Sequence, residues 1–248
     1  MVIEMKLQQL YSKVRQALDT YHMIETGDKV ALGVSGGKDS LGLLYALAGL
    51  RNFYPHAFEL VAITVDLGYE GFDLSEIEKL CKELEVEYYI VKTGIHEMIE
   101  TEGCSLCARL RRGALNEKAK ALGCNKIAFA HNMDDVVETM MLSLIYEGRF
   151  STFWPKTKWE DMGMELIRPF VFVTQAEAVG FQNKYHLPVT KNPCPFDHTS
   201  ERSYVRELLN EMNRHAPGVK KRMMTAICDG TIPEWGKSTC REIKDMLY

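Results

Sequence analysis

The sequence has no apolar run as long as the roughly 20 residues that a membrane-spanning helix needs. Its first residues alternate charged and apolar side chains, which is not the pattern of a signal peptide, and we therefore expect a cytoplasmic protein. Basic residues are not in excess either, because 30 Lys and Arg stand against 34 Asp and Glu for a net charge of −4. This balance excludes a uniformly basic nucleic-acid binder, although it permits a local basic patch.

Cysteines are few and their number is odd: there are seven among 248 residues, with a single CxxC pair. In the reducing compartment that we expect, such cysteines hold a metal or react as thiols more often than they form disulfides. A zinc site of four cysteines needs a second CxxC pair, so the sequence excludes that kind of site.

A chain of this length can bury the core of one domain with appendages. Along its first two thirds, short apolar runs alternate with helical patterns at the spacing of βαβ units. This alternation predicts an α/β fold with a doubly wound, mostly parallel sheet. The expected strands are Val30–Val34, Phe58–Val65, Val86–Val91 and Ile127–Ala130, and the expected helices between them are Leu41–Leu50, Asp73–Glu85 and Ser105–Leu122.

The chain divides into three predicted regions. Residues 1–26 form an N-terminal helix, residues 27–195 form the α/β domain, and residues 196–248 form a C-terminal helical extension. Late in the α/β domain the alternation weakens, and we place Trp154 and Trp159 in a polar loop. The remaining expected elements are helices at Ile3–Met23, Gln175–Tyr185, Ser200–Met212 and Val219–Ile227, and a short strand at Glu165–Pro169.

A polar turn, Ser35-Gly36-Gly37-Lys38-Asp39-Ser40, joins the first expected strand to the first expected helix. The free N–H groups and the positive end of the dipole at a helix N-terminus attract phosphate, and the two glycines let the backbone approach it. The turn is not a Walker-type P-loop, because an aspartate follows the lysine and the glycine spacing differs. The ordinary alternative is a tight turn with an incidental lysine.

Two further acidic segments follow strand ends. Asp66 comes just after the second expected strand, where it can contact a ribose or a metal or merely cap a helix. Asp134 and Asp135 start a helix after the fourth strand, where carboxylates either complement the dipole or hold Mg²⁺ near a triphosphate. Glu138, one turn on, can share that face. The Ser35–Ser40 turn and the segment with Asp134 and Asp135 both follow strands of one parallel sheet. We therefore expect them at the same edge of that sheet.

Three cysteines suggest a metal centre. Cys104 and Cys107 form the CxxC pair at the start of a helix, and Cys194 lies in a rigid loop between two prolines. Three thiolates can hold three irons of a four-iron cluster and leave the fourth iron open to a small ligand such as hydrosulfide. The alternative is a packed cysteine pair and an isolated loop cysteine.

The turn SGGKDS at Ser35–Ser40 resembles the signature of the PP-loop ATP pyrophosphatases, and the segment Ala130–Thr139 resembles the second motif of that family. The segment Cys104–Leu115 and the stretch Asp19–Ser40 are similar to the tRNA 2-thiocytidine synthetases within it. The resemblance covers roughly Lys6 to Met212. That group uses ATP and Mg²⁺ to adenylate a base carbonyl of tRNA, and a 4Fe-4S cluster delivers the sulfur that displaces AMP.

The resemblance implies a transferase that releases AMP and pyrophosphate, with tRNA and a sulfur donor such as a cysteine desulfurase or sulfide as its partners. It implies cluster ligation by Cys104, Cys107 and Cys194. It places Arg111 where thiouridine-forming relatives have a catalytic lysine, and we expect Lys38, Arg111 and Asp135 to assist catalysis. The residues expected to bind ATP are Gly33, Val34, Ser35, Gly36, Gly37, Lys38, Asp39, Ser40, Thr64, Asp66, Ala130 and Asp135.

The sequence departs from the thiocytidine group at Cys194, which stands alone where that group has a second CxxC. The modified base therefore stays open, as do a desulfidase, a thiolase of another substrate, a cluster-free PP-loop ligase and a cluster-bearing redox or sulfur sensor. A homodimer also stays open. Basic residues expected to meet tRNA are Arg109, Arg111, Arg112, Lys156, Lys158, Arg202, Arg206, Lys220, Lys221 and Arg222, with Trp154 and Trp159 between them.

Overall fold

The computed structural model describes residues 4–98, 103–159, 163–190 and 201–230. Of residues 103–105 it describes the backbone but not the side chains. Within these ranges, six strands form one sheet in the order β3-β2-β1-β4-β6-β5. Neighbouring strands run parallel except for the edge pair β5–β6. This arrangement confirms the predicted α/β fold with a mostly parallel sheet. The strands are β1 Lys29–Gly33, β2 Glu59–Asp66, β3 Glu87–Lys92, β4 Lys126–Ala128, β5 Lys156–Trp159 and β6 Met164–Ile167.

Helices flank the sheet. Helix α6 continues into a π-helix at Ser143–Glu147, which ends at Gly148 in the left-handed conformation. The helices are α1 Leu7–Thr20, α2 Lys38–Leu50, α3 Ser75–Glu83, α4 Ile95–Met98, α5 Gly103–Ala121, α6 Met133–Leu142, α7 Gln175–Tyr185, α8 Glu201–His215 and α9 Val219–Asp229.

Alternate residues of the central strands face two separate cores, as the two-residue period of a strand requires. On β1, Val30 and Leu32 belong to the larger core, which is shared with α1, α2, α6 and α7. Ala31, between them, faces the smaller core beneath α5, where Leu115 and Ala119 are buried. The sheet is therefore covered on both faces, which explains why its strands read as continuous apolar runs.

The region of the two tryptophans differs from the prediction. Lys156–Trp159 is not part of a polar loop but the antiparallel edge strand β5, with Trp159 opposite Met164. Lys156 forms an ion pair with Glu165 at 3.1 Å, and Trp159 packs against the smaller core. Polar residues are normal on an edge strand, because part of such a strand stays in contact with water.

The first helix is shorter than the predicted Ile3–Met23. At its start the Lys6 N–H donates to Gln9 Oε1 at 2.8 Å, and His22 has a positive φ of 46° just past its end. At the other end of the sequence, α8 and α9 pack against α6, with Val205 and Leu209 buried in the larger core. No helix in the described ranges is long and apolar enough to cross a bilayer.

Candidate active site

The turn at Ser35–Ser40 has a defined hydrogen-bond network. The Ser35 N–H donates to Ser40 Oγ at 3.2 Å, and that hydroxyl donates to the Gly37 carbonyl at 2.9 Å. No side chain caps helix α2 from Gly37, so its first turn keeps donors available for a ligand. Gly36 has φ +83°, and a Cβ there would lie 3.3 Å from Thr190, whose N–H donates to the Gly36 carbonyl. The position therefore needs glycine for its backbone conformation.

A cleft of about 820 Å³ opens over this turn. Its walls come from the residues that follow β1, β2, β4 and β6, together with helix α5 and the segment at Val189–Thr190. Because β1 and β4 are parallel neighbours, the two polar turns that follow them lie at the same edge of the sheet, as expected. The predicted site residues that line the cleft are Gly33, Val34, Ser35, Gly37, Asp39, Ser40, Asp66, Arg111 and Ala130.

Gly36, Lys38, Thr64 and Asp135 are not among the cleft-lining residues. Lys38 Nζ lies 2.7 Å from Asp39 Oδ2, so the lysine neutralises its neighbour at the cleft edge. Thr64 is buried, and its hydroxyl donates to the Val34 carbonyl at 2.8 Å while it accepts from the Tyr88 hydroxyl. Thr64 thus holds the strand end behind the cleft.

Asp39 and Asp135 are linked through Asn132. The Asn132 side-chain N–H₂ donates to Asp39 Oδ1 at 3.2 Å, and the Asn132 backbone N–H donates to Asp135 Oδ2 at 2.9 Å. The Asp135 N–H returns a bond to Asn132 Oδ1, which completes the cap of α6. Burial raises the pKa of Asp135 to about 6, and the nearby Glu138 and Asp39 carboxylates add to this shift, against the Asn132 N–H and Arg202.

The other two acids of this motif pair with cations of the C-terminal helices. Glu138 is 1% exposed and accepts hydrogen bonds from Arg206 at 2.9 and 3.2 Å. Asp134 accepts from Lys220 Nζ at 3.0 Å and from the Gln175 N–H. Glu138 also lies 3.5 Å from Arg202, which is 3.9 Å from Asp135. The expectation that Glu138 shares a face with Asp134 near the triphosphate stays a prediction.

Helix α5 brings part of the cysteine segment to the cleft. Cys107 packs against the buried pair Leu67 and Ile95, and Leu67 lines the cleft. Ala108 and Arg111, one residue and one turn further on, line it too. Cys104 lies one turn before Cys107 on the same helix, but the structure describes only its backbone, and Cys194 lies outside the described residues.

The residues that follow β4 and β6 form a further side of the cleft, here called the far wall. It holds residues to which the sequence analysis assigned no role. Arg168 follows β6 and is 9% exposed, and His131 follows β4 beside Phe153, with 4.9 Å between the ring centroids. Burial lowers the pKa of His131 to about 4, and the charges of Arg168 and Arg202 add to this. The rule that ligands bind at the carboxyl ends of strands was the available signal for both residues. Other cleft residues without a predicted role are Tyr69, Phe72, Phe129 and Thr190. Arg112, which the sequence analysis expects to meet tRNA, also lines the cleft.

Several basic residues expected to meet tRNA are used inside the fold. Arg202 and Arg206 reach Glu138, Lys220 reaches Asp134, and Lys156 reaches Glu165. These ion pairs give the four side chains a role inside the fold, and their contact with tRNA stays a prediction. Arg112, in contrast, lies over the Trp159 ring, with its guanidinium carbon 5.7 Å from the ring centroid.

A family model described as a PP-loop domain matches residues 2–212. The tRNA-cytidine(32) 2-sulfurtransferase of Citrifermentans bemidjiense is 37% identical over 224 residues, which cover 87% of this chain and 88% of that protein. The protein of the same name from Geobacter sulfurreducens is 34% identical over 230 residues, with 90% of each chain covered.

Among solved structures, the U34-tRNA thiolase NcsA from Methanococcus maripaludis, with its 4Fe-4S cluster, superimposes with a TM-score of 0.73. It is 30% identical to this chain, and the match covers 89% of this chain and 76% of that one.

Proposed function

This chain belongs to the PP-loop family, in the group that contains the tRNA-cytidine(32) 2-sulfurtransferases, and we propose that it uses ATP to insert sulfur into a pyrimidine of tRNA. One observation carries the proposal: the turn at Ser35–Ser40 and the α5 residues beside Cys107 open onto the same cleft. A nucleotide-binding turn and a thiol-bearing helix serve one reaction only if their ligands can meet, and this cleft is large enough for both.

ATP is bound by the turn and by the strand ends around it. The uncapped N-terminus of α2 and the hydroxyls of Ser35 and Ser40 receive the triphosphate. Asp66, at the end of β2, faces the cleft on the side where the ribose lies. Asp39 and Asp135, joined through Asn132, are the carboxylates available to hold Mg²⁺ on the phosphates.

The residues present fit a cluster at one end of this cleft. Cys107 is half-buried beside Leu67, and the CxxC spacing puts Cys104 one helical turn away, on the same side of α5. Thr190 is bonded to the turn at Gly36, and the four residues from Thr190 to Cys194 span at most about 14 Å. Cys104, Cys107 and Cys194 would hold the cluster, which would supply an iron able to bind the sulfur.

The protein positions the reactants for two displacements. In the first, the carbonyl oxygen of the base attacks the α-phosphorus of ATP, and pyrophosphate leaves. In the second, sulfur forms a bond to the base carbon, and the oxygen departs with AMP. Arg111 lines the cleft and neutralises negative charge that builds up on the phosphate oxygens, because a guanidinium stays protonated at neutral pH.

Cytidine 32 is the first base to test, since the curated relatives that cover most of this chain are named for that position. Uridine 34 is the second candidate, because the structurally similar thiolase acts there and Cys194 lacks the second cysteine of the thiocytidine group. Both reactions use the same cleft, and they differ in the nucleoside that they produce.

The test is mass spectrometry of nucleosides from unmodified tRNA incubated with anaerobically reconstituted protein, ATP, Mg²⁺ and sulfide. We expect 2-thiocytidine or 2-thiouridine, about four irons per chain, and loss of both product and iron in Cys107→Ser. Cys228→Ser is the matched control, because Cys228 is an exposed cysteine on α9, outside the cleft. No thiolated nucleoside from iron-loaded protein would refute the proposed reaction, and iron retained by Cys107→Ser would refute the ligand set.

A further inference from the structure

Arg168 is a buried guanidinium with no carboxylate partner among the described residues. It follows β6 and is 9% exposed, yet none of the ion pairs in those ranges includes it. One of its terminal amino groups donates to the Trp154 carbonyl, and its guanidinium carbon lies 4.8 Å from the centroid of the Phe153 ring. Its Nε is buried without a hydrogen-bond partner. These contacts fix the direction of the side chain without neutralising it.

The groups around Arg168 are either positively charged or neutral. Burial lowers the pKa of Arg168 to about 10, and the charge of the nearby Arg112 adds to this shift. His131 is neutral at physiological pH, and its Nδ1 is also buried without a partner. The carboxylates of the cleft, Asp39 and Asp66, belong to the opposite side, after β1 and β2.

A buried cation without a counter-charge is expensive, because burial removes its hydration. An anion placed against Arg168 and Arg112 would recover that cost. The planar guanidinium suits the paired oxygens of a phosphate. Both arginines line the cleft, so a ligand in the cleft can reach them.

We propose that Arg168 and Arg112 bind a phosphate group on the side of the cleft opposite the Ser35–Ser40 turn. The proposal rests on the proposed function, which supplies two sources of phosphate: a phosphodiester of the tRNA and the α-phosphate of ATP. β6 is separated from β1 by β4, so the two strand ends lie about 10 Å apart. That separation favours the tRNA phosphodiester, because the triphosphate is already held at the turn.

The experiment compares Arg168→Gln, Arg112→Gln and the control Arg214→Gln, whose side chain is exposed near the end of α8. Each variant is titrated with a non-hydrolysable ATP analogue by calorimetry and with unmodified tRNA by filter binding over a salt series. We expect Arg168→Gln to weaken tRNA binding at least tenfold, and Arg112→Gln about threefold. Each loss should reduce the slope of log K against log salt by about one, and Arg214→Gln should stay within twofold.

The possible outcomes distinguish a tRNA phosphodiester from the α-phosphate of ATP as the bound phosphate. Weaker tRNA binding with unchanged binding of the ATP analogue assigns the site to RNA, and the reverse assigns it to the nucleotide. Unchanged binding of both ligands by Arg168→Gln and Arg112→Gln overturns the inference. If Arg168→Gln does not fold, the exposed Arg112 decides alone. A wild-type protein that does not bind tRNA would instead count against the proposed function, and the calorimetry would still test the site.

Discussion

The two charged walls beside the cleft are built on opposite principles. On helix α6, the acids find cationic partners in the C-terminal helices: Glu138 pairs with Arg206 at 2.9 Å, and Asp134 pairs with Lys220 at 3.0 Å. Along the cleft itself, Arg111 and Arg112 on α5 and Arg168 after β6, here called the arginine wall, have no carboxylate partner in the described ranges. Both walls are rich in charge, but only one of them has its charges neutralised by the fold.

This difference separates charges that stabilise the fold from charges that are available to a ligand. A buried ion pair costs much to break, because the partner left behind keeps its charge in a poorly hydrated place. Arg111 and Arg112 are exposed and cost little to remove, because water already solvates them. Arg168 is buried, but its replacement leaves no buried carboxylate without a partner. We therefore expect substitutions at the α6 wall to lower stability and those at the arginine wall to lower binding or activity. The three predictions below test this expectation, from the largest effect on stability to the smallest.

Replacing Arg206 with Met should have the largest effect. The change removes both hydrogen bonds to Glu138, whose side chain is 1% exposed, and leaves that carboxylate buried. The free energy of unfolding should fall by about 2.5 kcal/mol, below the range for a fully buried pair, because the Arg206 side chain is 42% exposed and water screens it. Arg202, 3.5 Å from Glu138, limits the loss. Urea denaturation at pH 7.5 measures the change.

The matched control is the double variant Arg206→Met with Glu138→Gln, which removes the buried charge together with its partner. It should recover more than half of the lost stability, because no unpaired ion then remains. A loss below about 1 kcal/mol in Arg206→Met would mean that the pair is a surface contact in energetic terms, and the contrast between the two walls would fail.

His131 gives an intermediate effect, and it depends on pH. Its pKa of about 4 lies below the value near 6.5 in an unfolded chain, so folding favours the neutral ring. The stabilisation is complete above pH 6.5 and is lost as the pH falls towards 4. A fully buried ring would contribute about 3 kcal/mol, and we expect about 2 kcal/mol because His131 is partly exposed.

The measurement is the difference in unfolding free energy between pH 7.5 and pH 4.5. His131→Phe keeps a ring beside Phe153 but cannot titrate, so its difference should be smaller than that of the wild type by about 2 kcal/mol. Equal differences in the two proteins would show that the His131 ring is hydrated. Water would then reach the far wall, contrary to the burial of Arg168.

Local pattern was enough to predict much of this molecule. The strand ends, the turn at Ser35–Ser40 and helix α7 depend on neighbours within a few residues, and the predicted bounds of α7 match those observed. The CxxC pair was also correctly placed near the start of α5. Such features are set by period, capping and turn chemistry, which a single segment contains.

The errors occurred where a distant partner decides. Trp159 lies on β5 because β6 pairs with it, and no pattern within Lys156–Trp159 requires that pairing. The pairing of Glu138 with Arg206 could not be predicted from the α6 segment, because it depends on the packing of α8 on α6. Arg168 received no role, because its burial depends on Phe153 and the Trp154 carbonyl in the preceding loop.

Arg111→Gln should have the smallest effect on stability. Arg111 is exposed on α5 and lines the cleft, and no ion pair or side-chain hydrogen bond among the described residues includes it. The unfolding free energy should change by less than about 0.5 kcal/mol, as for other exposed side chains. Formation of the thiolated nucleoside should fall about tenfold, because one cation near the reacting phosphate is lost. Arg111→Lys should recover most of that activity, since the proposed role requires only positive charge at this position. If Arg111→Gln destabilised the protein as much as Arg206→Met does, the distinction between paired and unpaired charges would not hold.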